Sequence, residues 1–94
     1  MSDTRNVDYT VQIWKEGNQF IAHAMPLDVM SFGPTPEEAR RSVDEAVHLF
    51  LDTASDSGTL DDVLRESGYV LRDGNWAGPT WVAVERHSVA VGAG

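Results

Sequence analysis

The sequence predicts an α+β domain: an antiparallel meander of three strands, a long amphipathic helix packed on one of its faces, a short second helix and one or two C-terminal strands. Three observations predict it. Short stretches of period-two alternation cluster before Gly33. A long three- and four-residue apolar rhythm follows from Pro36. Glycine, proline and small polar residues punctuate the joins.

In residues 8–15, Tyr9, Val11 and Ile13 alternate with Thr10 and Gln12, the pattern of a half-buried strand. Glu16-Gly17-Asn18 carries hairpin-turn chemistry, and residues 19–25 form the returning strand, which Pro26 ends because it has no amide hydrogen for a ladder. Residues 28–32 form a third short strand, closed by Gly33-Pro34.

Thr35 is placed as an N-cap, Pro36 as the first helical residue, and Glu38 completes a capping box. Ala39, Val43, Ala46, Val47, Phe50, Leu51 and Ala54 then fill one arc of a helical wheel, so a helix is expected from about Pro36 to Ala54. Its opposite face carries Glu37, Arg41, Asp44, Glu45, His48 and Asp52. Ser55 to Gly58 reads as a polar linker. Thr59 caps a second helix with Asp61 and Asp62 in its first turn, and Gly68 ends it in a left-handed conformation. Tyr69-Val70-Leu71 reads as a strand and Asp73-Gly74-Asn75 as a turn. Trp81 to Glu85 starts a last strand that Val89 to Val91 extends. Residues 1–94 are expected to form a single domain, with residues 1–6 and 92–94 flexible.

At 94 residues the chain suits one domain with a modest core. It has no cysteine, which excludes a disulfide scaffold, thiolate metal sites and a cysteine nucleophile. The first six residues lack an apolar targeting core and no run approaches a membrane span, so the expected compartment is the cytoplasm. The net charge of −8 repels a phosphate backbone, so direct nucleic-acid binding is not expected. It would steer a basic protein instead, although solubility alone also accounts for such a charge.

No catalytic motif stands out. His23, His48 and His87 are far apart in sequence and form no local zinc motif. No nucleophile elbow or phosphate-binding glycine loop occurs, and the carboxylates read as solvated helix faces and first-turn residues. We therefore expect no enzyme activity, no cofactor and no metal. Trp14, Trp76 and Trp81 are the notable excess. If Val11 and Ile13 face the helix, Trp14 points to the other side of the sheet, where a large ring marks an interface unless the C-terminal segment covers it. Trp76 and Trp81 flank a Gly-Pro turn and are placed against the sheet edge.

The run Tyr9-Thr10-Val11, Gly17, Phe20-Ile21-Ala22, Pro26 and then Gly33-Pro34-Thr35-Pro36-Glu37-Glu38-Ala39 resembles the HicB-like antitoxins, across about residues 8–54. Asp44-Glu45-Ala46 also looks like part of that family's helix. The resemblance implies a partial ribonuclease H-like fold without the catalytic carboxylates. It implies a small basic toxin partner of the HicA type, masked by occlusion, and a homo-dimer or tetramer. The sequence departs from the family in two places. Pro26 is followed by Leu27-Asp28-Val29-Met30, and the region after Gly68 reads as turn and strand with only Arg72 and Arg86 basic, so the DNA-binding segment of many members is not carried over.

The leading expectation is thus an antitoxin-type protein that faces a basic toxin with Trp14, Asp44, Glu45, His48 and Asp52. The alternatives are a stand-alone homo-oligomeric module and, last, a metal-dependent nuclease.

Overall fold

A computed structural model describes residues 5–92. It is α+β, with three antiparallel strands, a long helix packed on them, a short helix and a C-terminal two-stranded sheet. The strands are β1 (Thr10–Glu16), β2 (Gln19–Met25) and β3 (Val29–Gly33), in spatial order β1-β2-β3. Glu16 pairs with Gln19 across the two-residue turn Gly17-Asn18. Gly17 has φ +59, as a type II′ turn needs at its first central position.

Register places alternate residues on alternate faces. Ile13 stands opposite Ala22, and Val11 opposite Ala24. Ala24 stands opposite Val29. These residues face α1 (Pro36–Asp56), which packs on them with Ala39, Val43, Val47 and Ala54 buried. Alanine at 22, 24 and 39 puts no side chain beyond Cβ between helix and sheet, so the two approach closely. Gly33 is the extreme case, because a Cβ there would lie 2.8 Å from the Ala39 backbone nitrogen. The predicted N-cap is present: the Glu38 amide donates to Thr35 Oγ1 at 3.1 Å. The apolar arc is wider than the buried stripe, and Phe50 lies at its margin, 38% exposed.

The helix continues two residues past the expected end, through the segment read as a linker. It stops in a Schellman motif centred on Gly58 (φ +73), where the Thr59 amide donates to Ala54 O at 2.9 Å and the Gly58 amide to Ser55 O at 3.1 Å. The same motif ends α2 (Leu60–Glu66) at Gly68, with the Tyr69 amide donating to Leu64 O at 3.0 Å. Thr59 does not cap α2 through its side chain; its hydroxyl donates back to Ala54 O at 3.3 Å.

The C-terminal hairpin is β4 (Val70–Arg72) and β5 (Asn75–Ala77), joined by Asp73-Gly74, both at positive φ as a type I′ turn requires. The turn is one residue shorter than expected, and Asn75 begins the strand. β5 docks on the segment preceding β1: the Trp76 amide donates to Asn6 O at 2.8 Å and the Asp8 amide to Trp76 O at 3.0 Å. Asn6, expected in a flexible stretch, is therefore hydrogen bonded from two directions, since its own amide donates to Asn75 Oδ1 at 3.1 Å. This docking buries Trp76 to 1% exposure beside Leu64 and Tyr69. Trp76 is thus a core residue, not an edge residue, with the Arg65 guanidinium 5.4 Å from its ring centroid. The strand expected at Trp81–Glu85 is not formed: residues 78–92 lie in neither strand nor helix, and 81–92 are exposed. No helix among the described residues is long and apolar enough to cross a membrane.

Candidate functional site: two surfaces on opposite sides of the sheet

Because α1 covers the face carrying Ala22 and Ala24, the residues between them look the other way. Trp14 stands opposite Ile21 and Ile21 opposite Phe32, which makes a row of three large apolar side chains across the sheet. In the next row Gln12 stands opposite His23 and His23 opposite Met30. Phe32 is 60% exposed and Met30 54%.

The polar groups at the margins of this face are held in place. The Trp14 indole N–H donates to Glu16 Oε1 at 3.0 Å. The Trp14 and His23 rings meet edge to face, 6.3 Å between centroids. His23 Nε2 lies 2.6 Å from Asp28 Oδ1, and Asp28 reaches it from a left-handed backbone at φ +62. The result is a fixed apolar strip with acidic side chains, Glu16 and Asp28, at two ends.

The second surface lies on α1. Arg41, Asp44, Glu45 and His48 line a shallow depression of about 340 Å³. His48, Leu51 and Asp52 also border an open groove of about 510 Å³ against residues Arg5 to Tyr9. Helical spacing therefore brings Asp44, Glu45 and His48 together, with Asp52 one turn further along. Trp14 is not among them, because the sheet and the helix lie between.

Asp44 departs from its expected place on a freely solvated face. It is half-buried and accepts a 2.7 Å hydrogen bond from the Tyr9 hydroxyl. Burial, and then the hydrogen bond and charge of Asp44, push the Tyr9 hydroxyl up to about 12. Tyr69 is likewise pushed up to about 12, by burial first and then by the charge of Asp8, while its hydroxyl donates to the Asp8 carbonyl. Both phenols are held neutral and act as struts. Among the described residues no group of three His, Asp or Glu side chains stands close enough to hold a metal ion.

Sequence reasoning found Trp14 but not its companions. Ile21 was within reach, since a two-residue turn fixes the pairing that sets it beside Trp14. Phe32 and Met30 depend on the register after the β2–β3 loop, which alternation alone does not fix. Comparison with protein-family models, with curated proteins and with solved structures finds no match for this chain.

Proposed function

We propose that this chain is a HicB-like antitoxin-type protein that binds a small basic HicA-like toxin and neutralises it by occlusion, using the Trp14–Ile21–Phe32 face of its sheet. The observation that carries the reading is that face: a rigid, aromatic, uncovered strip with an acidic margin. Aromatic anchors that offer large area at small entropic cost are what binding surfaces concentrate. The net charge of −8 suits a basic partner and favours its approach. The close packing of Gly33 on Ala39 and the Thr35 cap give a physical role to the residues that carry the family resemblance.

The acidic face of α1 then contributes long-range attraction more than contact. The test is to recover the tagged chain from its native host and weigh the intact complex by native mass spectrometry, beside a Phe32→Asp variant. A stoichiometric small basic protein, lost in the variant while its circular dichroism is unchanged, is the expected result. Recovery without any basic protein sinks the antitoxin reading. Retention by Phe32→Asp moves the binding surface elsewhere.

A further inference from the structure

We infer that Trp81–Val91 is an exchanged strand, which adds to the free edge of β3 in a second copy of this chain and so forms a two-fold dimer. The segment is unlike a solvated tail. It carries Trp81, Val82, Val84, Val89 and Val91, a β-branched and aromatic composition that favours pairing. Val82 is 93% exposed and Val91 86%. Chain that remains in water is ordinarily poor in such residues. Glu85 Oε1 and His87 Nε2, two residues apart, meet at 2.8 Å, the relation of neighbours on one face of an extended chain.

The surface of the molecule carries the same message. A folded monomer of 10.3 kDa is expected to expose about 5,400 Å², and this chain exposes 7110 Å². Its radius of gyration is 16.5 Å, where a compact chain of this length gives about 12 Å. Among the described residues, 79–92 are the longest wholly exposed run. A typical stable interface takes about 800 Å² from each partner, which this surplus can supply.

The recipient edge follows from the sheet order. β1 and β3 are the two edges. β1 ends in Lys15 and Glu16, the charged residues that ordinarily blunt an edge. β3 reads Val-Met-Ser-Phe-Gly and carries no charge. Among the described residues its ladder partner is β2 alone, so its outer side offers unpaired backbone groups. The arm leaves the fold beside the loop leading into β3, where a Cβ on Gly78 would lie 3.2 Å from Pro26 Cδ. In a two-fold pair each arm therefore starts near the end of the sheet where β3 begins. Eleven extended residues span up to about 36 Å, ample for the roughly 17 Å of a five-residue strand. Backbone hydrogen bonds supply the pairing, and reciprocity makes the contact closed.

The test uses the purified chain alone, so it is independent of any toxin. Mass is measured by light scattering at tens of micromolar for the full chain, for a chain ending at Thr80, and for Val84→Pro/Val89→Pro, which places proline at positions of both parities, so that a lost amide faces the neighbouring strand in either register without touching the fold. Backbone amide exchange is followed in parallel. The expected result is a dimer for the full chain and half that mass for both variants, with β3 amides exchanging roughly tenfold faster or more and β2 amides unchanged. A monomeric full chain, or a dimer that survives both changes, overturns the exchanged strand. A dimer lost on truncation with β3 exchange unaltered overturns the choice of edge.

Discussion

The Tyr9 hydroxyl donates to Asp44 Oδ1 at 2.7 Å, pinning the segment that leads into β1 to the middle of α1. The two residues are 35 apart in sequence, so the bond ties the first strand to the helix that covers it. Tyr9→Phe keeps the ring against the core and leaves a half-buried carboxylate without this donor. A hydrogen bond to a charged group contributes about 1.5–3 kcal/mol when well shielded, and partial exposure lets water replace some of it. We expect Tyr9→Phe to lower stability by about 1 kcal/mol in urea unfolding, and Glu45→Gln, one residue along on the exposed side, to stay within about 0.5 kcal/mol.

Alkaline pH tests the same strut. Tyr9 and Tyr69 are raised from 10.0 to about 12, so the folded state favours the neutral phenol more than the unfolded chain does. Their contribution is complete below pH 10.0 and is lost as pH rises through about 12. The melting temperature should therefore fall over that window. In Tyr9→Phe the fall should be shallower, because one of the two groups no longer titrates. An identical alkaline slope in the variant would remove Tyr9 from the account.

Gly33 and Thr35 test the strand-to-helix junction. Gly33→Ala places a Cβ 2.8 Å from the Ala39 nitrogen and 3.0 Å from the Glu38 carbonyl carbon, both backbone atoms that cannot swing aside. Overpacking of this kind costs about 1–3 kcal/mol. Thr35→Ala removes the acceptor for the Glu38 amide and costs about 1 kcal/mol. Chemical denaturation of the two variants and their double mutant should show costs that do not simply add, since both act on the first turn of α1.

The features legible in the sequence are those with a local cause. A capping residue, a proline and a helical apolar period are neighbours in the chain, so the start of α1 and its buried stripe can be read directly from Thr35 to Ala54. Gly68 is legible for the same reason. Trp76 is not, because its burial depends on docking against residues 6–8, some seventy positions away. Asp44 has the spacing of an exposed residue, and only the Tyr9 hydroxyl reveals otherwise. At Trp81–Glu85 the aromatic and β-branched composition marks a strand that does not form, because composition says nothing of what a strand would pair with. Parity places Trp14 on the face away from α1, while its row with Ile21 and Phe32 follows only from the register.

On the proposed reading, that row separates binding from stability. Phe32 and Met30 are exposed and outside the buried cluster, so their loss leaves the core intact. We expect Phe32→Asp to change unfolding free energy by no more than about 0.5 kcal/mol. Central aromatic anchors contribute about 2 kcal/mol or more to binding, so the same change should weaken a basic partner's affinity about 30-fold. Isothermal titration beside thermal melts decides it; a loss of stability that matches the loss of binding would mean the face is structural.

Charge should act on the rate of encounter more than on the lifetime of the complex. The chain carries −8, and Glu45 and Asp52 display part of it along α1, away from the aromatic strip. Attraction at that range passes through solvent and is screened over a Debye length, which shrinks from about 30 Å in dilute buffer to about 8 Å at physiological salt. Association with a basic partner should then slow about tenfold or more across that range, while dissociation, governed by packing at Phe32 and Trp14, changes little. Glu45→Lys with Asp52→Lys reverses two charges and should mimic added salt, lowering the association rate in dilute buffer and leaving dissociation alone. Stopped-flow measurement of both rates gives the answer. A charge-reversed variant that instead dissociates faster would place α1 inside the interface and move the binding surface from the sheet to the helix.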